Sequence, residues 1–270
     1  MNKQIMPLSD IELSRRLERA EGTANAGYVE ARAKLFPEFG ACWQDFGGTY
    51  AMFDGPVSPA TQTFGLGLFG DATHEQLEAI EGFFTERGAP IFHEVSPMAD
   101  PGILTLLHER GYRPVELTSV LVQPLPAETK PVADNISCRI ARLEEADAWS
   151  DVSAAGWFEL VEFATMIRDI AFVNFHKPDQ LCVVAEIDGA MAATGALSIE
   201  GGVAHLAGAS TVPEYRKLGA QSALLDYRLR LAAERGCDLA LMGALPGSAS
   251  QRNAERNGFR IVYTRIKWGK

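Results

Sequence analysis

Residues 206–221 read Leu-Ala-Gly-Ala-Ser-Thr-Val-Pro-Glu-Tyr-Arg-Lys-Leu-Gly-Ala-Gln, and this stretch decides the fold. The small, apolar run Ala207-Gly208-Ala209-Ser210-Thr211-Val212 is a strand cut off by Pro213. Beyond the basic turn Arg216-Lys217-Leu218-Gly219, apolar residues recur at helical spacing: Ala223, Leu224, Tyr227, Leu231 and Ala232. A helix therefore begins near Gly219. Its first backbone N–H groups have no partner inside the helix, and its dipole favours negative charge at that end. Gly219 lets the backbone approach a ligand closely, while Arg216 and Lys217 supply counter-charge. Strand, basic glycine turn and helix mouth together make a seat for a phosphate or diphosphate.

The turn carries neither the GxxxxGK[ST] of a nucleotide-triphosphate loop nor the GxGxxG of a dinucleotide fold. Arg216, Gly219 and the positions after them resemble instead the R-x-x-G-x-(G/A) signature of the GNAT superfamily, the acyl-CoA-dependent N-acetyltransferases. Gln221 stands where a smaller residue is commoner. The resemblance runs on through a strand at 238–244 and a helix and turn at 248–259, ending in Asn257-Gly258-Phe259. It implies an α/β fold with a mostly antiparallel, twisted mixed sheet flanked by helices, and acetyl-CoA as cosubstrate. It also implies that Ser210, Thr211 and Val212 end a splayed strand whose backbone bonds the pantetheine arm, with one N–H polarising the thioester carbonyl. Arg216, Lys217, Leu218, Gly219, Ala220, Gln221 and Ser222 would hold the diphosphate, with Ser250, Arg252 and Asn253 touching the cofactor from the later helix.

Working outward, 270 residues hold one large domain or two modest ones, and 47% apolar content is enough for a real core. No apolar run is long enough to span a membrane, and the charged start MNKQIMPLSDIELSRRLERA is not a secretory signal, so a cytoplasmic protein is expected. Cys42, Cys138, Cys182 and Cys237 lack paired spacing and read as buried thiols, not as a disulfide frame or a metal site. The net charge of −10 is uneven: residues 1–123 carry −8 and residues 135–270 carry −1. That balance argues against nucleic acid and leaves two readings of the acidic half, a solvated surface or an attractor for a cationic amine.

Three prolines between Pro124 and Pro131 mark a linker over 124–134. On either side lies an internal repeat. Thr85-Glu-Arg-Gly88 echoes Ala233-Glu-Arg-Gly236, and Glu109-Arg-Gly-Tyr-Arg113 echoes Arg256-Asn-Gly-Phe-Arg260 at nearly the same offset. The chain thus reads as two GNAT-like domains in tandem, 1–123 and 135–270. Moving back 148 positions from Arg216 and Gly219 lands on Leu68 and Asp71, so the first copy lacks the anion loop. In the first half the pattern gives a helix over 1–20 with Ser9 or Asp10 as its cap, a second over 30–36, strands over 42–53, 63–69, 90–95 and 114–123, and helices over 74–87 and 101–110. In the second it gives strands over 136–141, 181–187, 191–199 and 205–211, with helices over 144–155 and 164–175.

The resemblance implies N-acetylation of a small amine or an amino terminus. The alternatives are another acyl acceptor and a non-catalytic acyl-CoA-binding module. The base is Glu162 or Glu159, in the loop Gly156-Trp-Phe-Glu-Leu-Val-Glu-Phe163, or His205, whose ordinary pKa suits proton transfer; each is also explained as a plain structural residue. Trp157, Phe158 and Phe163 are an aromatic wall or core. The family's usual acid position falls on Ala254, which leaves Tyr263, Tyr215 or unassisted thiolate departure. A monomer and a homodimer both remain open.

Overall fold

The structure is a computed structural model that describes residues 6–128, 131–157 and 164–270, and it divides into two compact units. The first is built from Met6–Val122 together with Gly243–Lys270, and the second from Gln123–Met242.

The first unit opens with α1 (Ile11–Leu35), whose cap Asp10 accepts from the Leu13 amide at 2.8 Å. It is one helix and not the expected two. Residues 21–29, left between the two expected helices, continue it without a break, and Gly22 among them packs against Phe64, which a Cβ there would touch at 3.4 Å. The expected strand over 42–53 is a hairpin, β1 (Cys42–Phe46) and β2 (Thr49–Phe53), because Gly47 and Gly48 take φ of +64° and +96°. Then follow β3 (Gln62–Phe64), α2 (His74–Thr85), β4 (Phe92–Val95), α3 (Gly102–Glu109) and β5 (Arg113–Pro124). The strand expected over 63–69 stops at Phe64. Gly65 turns left-handed at φ +86°, and the chain winds so that the Leu68 amide donates to the Gly65 carbonyl.

The second unit carries β6 (Ile136–Ile140), α4 (Ala146–Ala155), α5 (Ala164–Phe175), β7 (Leu181–Ile187), β8 (Ala190–Glu200), β9 (Val203–Thr211), α6 (Ala220–Glu234) and β10 (Leu239–Ala244). Strands β6 to β9 form an antiparallel meander, and β10 joins β9 in parallel. On one face, Trp149 of α4 packs with Phe175 of α5 over Cys182, Val184 and Ala196, and its indole N–H donates to the Val183 carbonyl at 3.1 Å.

The chain then returns to the first unit with α7 (Ala249–Arg256) and β11 (Arg260–Gly269). There β11 lies between β4 and β5, antiparallel to both. The repeat is plain: α3 and α7 start at 102 and 249, β5 and β11 at 113 and 260. The last helix and strand of the second copy nevertheless belong to the unit of the first copy, so the compact units do not follow the boundary read at 135–270. Hydrogen bonding and packing explain this. β11 has a ladder on each edge there, Trp268 enters the core of Phe83, Phe84, Leu107 and Tyr112, and buried Arg265 meets Glu18, Glu21 and Glu94. Both units are mixed sheets with helices packed on them, as the fold class predicts.

Candidate functional site

In the second unit β9 and β10 part company. Their ladder runs only from Val203–Leu239 to His205–Leu241, yet β9 continues to Thr211. On its other edge β9 stays bound to β8, with one slip: Ala196 faces Ala207 while Thr194 faces Ser210, which leaves Gly208 and Ala209 opposite Gly195. This is a β-bulge, made possible by Gly208 at φ +58°. Beyond the bulge the Val212 amide donates to the Ala192 carbonyl at 3.0 Å. Backbone groups alternate along a regular strand, so those of Thr211, next to Val212, point away from β8, into the wedge. Of the three residues expected to offer amides, Val212 is already bonded to β8, and the bulge at Gly208 and Ala209 was not expected, because a bulge leaves no mark in hydrophobic patterning.

Two helices hold the end of β9. From one face the Ser210 hydroxyl donates to the Ser153 carbonyl of α4 at 2.7 Å, while the Ser153 and Thr194 hydroxyls meet at 2.7 Å. From the other, the Thr211 hydroxyl donates to Gln221 Oε1 of α6 at 2.9 Å. Arg216 closes the ring by donating to the Gly156 carbonyl, just past α4, at 2.6 Å. Gly156 itself is irreplaceable there, since a Cβ would lie 1.8 Å from Ser210 Oγ and 2.9 Å from the Thr211 amide nitrogen. Gly156→Ala is therefore expected to destabilise the protein by about 1–3 kcal/mol, the usual cost of overpacking, and to weaken ligand binding at the wedge. An unchanged melting temperature would contradict this packing.

The turn into α6 has the geometry of an anion cradle. A single turn of 3-10 helix, Pro213–Tyr215, leads to Arg216 in extended conformation, Lys217 at φ +66° and Gly219 at φ +96°. Successive amides around left-handed residues make a concavity that binds anions. Gly219 caps α6 without any side-chain hydrogen bond, and Arg216, Lys217, Leu218, Gly219 and Ser222 are exposed. Lys217 is a non-glycine residue in a conformation that costs energy, as happens where function over-determines the backbone. Beside this turn lies a cavity of about 240 Å³, walled by Val132 and Ala133 of the linker, Ile136, Leu218 and Ala223, with Asp226 at its side.

The remaining candidates are placed as follows. Glu159, Glu162, Phe158 and Phe163 lie outside the described residues. Trp157 is 47% exposed. His205 is half-buried at the last rung of the β9–β10 ladder, the closed end of the wedge. Tyr263 belongs to the first unit, where it is buried and its hydroxyl donates to Glu18 Oε1 at 2.9 Å. Burial, with Glu18 beside it, pushes its pKa well above the ordinary phenol value. Ser250, Arg252 and Asn253 also lie in the first unit, on α7, where Arg252 donates to the Gly247 carbonyl and the Asn253 carbonyl accepts from Asn257 Nδ2 at 2.8 Å. Ala254 is fully buried, so that position is core and has no room for a tyrosine. Among the described residues no group of three or more His, Cys, Asp or Glu side chains is placed to hold a metal ion, and no helix is long and apolar enough to cross a membrane.

A family model described as Acetyltransferase (GNAT) family matches residues 145–259. No curated protein sequence matches the chain. Among solved structures, a GCN5-related N-acetyltransferase from Kribbella flavida is 19% identical with a TM-score of 0.70, over 96% of this chain and 95% of that one. A GCN5-related N-acetyltransferase from Sphaerobacter thermophilus is 15% identical with a TM-score of 0.55, over 98% of this chain and 93% of that one. A tandem GNAT protein from the clavulanic acid biosynthesis pathway is 16% identical with a TM-score of 0.52, over 73% of this chain and 68% of that one. At these identities the likeness is one of fold.

Proposed function

We propose that this protein moves an acetyl group from acetyl-CoA to the amine of a small molecule or an amino terminus, a reading supported by the match of residues 145–259 to the acetyltransferase (GNAT) family model. The observation that carries the reading is the wedge. β9 leaves β10 after His205 yet runs on to Thr211, and the chain then enters the uncapped mouth of α6. An extended pantetheine arm takes the place of the missing strand pairing along β9. The diphosphate rests on the amides from Leu218 to Gln221, with Arg216 and Lys217 as counter-charge, and the cavity beside Gly219 is open to the adenosine end.

The chemistry follows from where the amides point. A thioester carbonyl lying along the bulge receives an N–H from the open side of β9. The amine nitrogen attacks the carbonyl carbon, a C–N bond forms, the C–S bond breaks and the sulfur leaves as thiolate. An amide donor fixed in this place acts on charge that grows in the transition state, and one such donor is worth about 3–4 kcal/mol in known cases. A base must take the amine's proton. His205 at the closed end of the wedge is one candidate, and Glu162 or Glu159 another.

The test is a panel of small amines and amino-terminal peptides with acetyl-CoA, following thiol release, alongside calorimetry of CoA binding. Release above the no-amine rate is expected for at least one class of amine. Tight CoA binding with no release would replace the enzyme by an acyl-CoA-binding module. No binding at all would sink both readings.

A further inference from the structure

Arg228 lies in the third turn of α6 and is 1% exposed. Its guanidinium sits against Gly195, the residue opposite the bulge; a Cβ there would fall 2.9 Å from both Cζ and Nη1. Nη1 donates to the Ala196 carbonyl of β8 at 3.2 Å and reaches the Ala207 carbonyl of β9 at 3.5 Å. Those two residues face each other on the last rung before the slip. Among the described residues Arg228 has no ion pair with a carboxylate, and its Nε has no hydrogen-bond partner. Burial draws its pKa down to about 10, so it stays charged at neutral pH.

Such an arrangement is costly. A fully buried cation repaid only by carbonyl dipoles costs several kcal/mol, and a methionine of similar volume would pack there without that cost. The fold has also given up a side chain at position 195 to admit it. Neither sacrifice adds apolar packing to the unit: the buried face of α6 is built by Leu224, Leu225 and Leu229, and the aromatic cluster lies around Trp149 with α4 and α5. What Arg228 touches is the base of the bulge.

We propose that Arg228 is a positioning residue for acyl transfer: by binding the carbonyls of Ala196 and Ala207 it fixes the bulge and, through it, the course of β9 that turns the Thr211 amide into the wedge. Its bond to the Ala207 carbonyl also polarises the peptide that carries the Gly208 N–H, since hydrogen bonds in series strengthen one another. The inference rests on the acetyltransferase reading above. Gly195 is its counterpart, the vacancy that lets the guanidinium reach both strands.

The experiment compares Arg228→Met, Arg228→Lys and Gly195→Ala with the parent protein. It reads kcat and KM for the best amine of the panel, CoA affinity by calorimetry, and the amide resonances of Gly208 and Ala209. A misplacement of reacting groups by about 1 Å costs about 100-fold in rate, so kcat should fall by one to two orders of magnitude in Arg228→Met. CoA affinity should stay within about threefold of the parent, because the diphosphate seat from Leu218 to Gln221 is untouched and the aim of the bulge amides bears on the reacting carbonyl. Lysine keeps the charge but not the fork, so Arg228→Lys should recover part of kcat. If Arg228→Met does not fold, Gly195→Ala, which displaces the guanidinium, should show the same split between kcat and affinity. A folded variant with unchanged kcat, or a loss of kcat matched by an equal loss of CoA affinity, overturns the proposal. So do Gly208 and Ala209 resonances that do not move, and that readout stands even if the parent protein transfers no acetyl group.

Discussion

Replacing Gly219 by aspartate is expected to weaken CoA binding about a thousandfold while leaving the fold intact. Two effects act, and their sizes separate them. Gly219 sits at φ +96°, so any side chain there is strained, and a Cβ would press on Ile136 Cδ1 at 3.3 Å. A left-handed residue costs about 1–2 kcal/mol, less for Asp and Asn than for others. The larger effect is charge. A carboxylate about 4 Å from a diphosphate, at the effective dielectric of a protein surface, is repelled by about 4 kcal/mol, which is about three powers of ten in Kd. It would also satisfy the helix amides that the ligand needs, as a cap does. Gly219→Asn separates the two effects, because it has the same shape and the same strain without the charge. Calorimetry should find Asn weakened by about tenfold at most and Asp by far more, with the melting temperatures of the two variants close together. Equal affinity for CoA in parent and Asp variant would remove the diphosphate from this turn. The first copy has no such open helix mouth. By helix starts the counterpart of Gly219 is Thr73 and not Asp71, the position the sequence offset of 148 picks out: Thr73 caps α2, its hydroxyl accepting from the Gln76 amide at 3.1 Å. Leu66 and Leu68 before it are fully buried, and the turn's carbonyls are taken, Gly67 by the Asp100 amide and Leu68 by Arg15 Nε at 2.9 Å.

What was legible in the sequence follows the range of the interactions. The turn 216–219, the start of α6 and the hairpin of the strands expected over 181–187 and 191–199, turned at Asp188-Gly189, are fixed by residues within a few positions, and their boundaries agree with the structure within a residue or two. The Gly47-Gly48 pair lies inside the strand expected over 42–53 and is a turn, because a glycine marks either a turn or a close approach and only its surroundings say which. Gly22 is the other case: it stays helical in α1 and lies against Phe64, some forty residues on. The placement of β11 was not legible at all. A repeat in sequence shows that two copies were once alike, not which sheet each strand now completes. Nor could the site be finished from the pattern alone. Arg228 reads as one more polar residue on an amphipathic helix until Gly195 and the slipped ladder are seen beside it. The Ala254 position, which looked like a lost acid, is buried core in α7.

The largest loss of stability is expected from Arg265→Ala. Arg265 is fully buried on β11 and holds Glu18 at 3.1 Å, Glu21 at 2.9 Å and Glu94 at 2.9 Å; Lys267 adds a second contact to Glu94 at 3.2 Å. Taking away the arginine leaves three carboxylates with one lysine between them, and breaking a buried pair by removing one partner costs about 3–5 kcal/mol. Against a total of about 5–15 kcal/mol, that is enough to bring the domain near unfolding. The pH dependence identifies the cause. Burial raises the Glu18 pKa from 4.5 to about 7, with Arg265 pulling the other way and Glu21 and Glu94 adding to the rise. Folded protein therefore keeps a proton on Glu18 between about pH 4.5 and 7 that the unfolded chain gives up. On that account stability falls as pH rises through the window and is level above it. Without Arg265 Glu18 holds its proton to still higher pH, so Arg265→Ala should regain part of its lost stability when the pH is lowered from 8 to 5. Glu18→Gln, which carries no proton to lose, should gain on the parent as pH rises from 4.5 to 7. Denaturant unfolding at pH 5 and 8 measures all three proteins. An Arg265→Ala loss below about 1 kcal/mol, the size of an exposed ion pair, would mean that β11 is held by its two ladders and Trp268 alone. A Glu18→Gln curve parallel to the parent's would mean that Glu18 is ionised throughout, its burial fully offset by the guanidinium beside it.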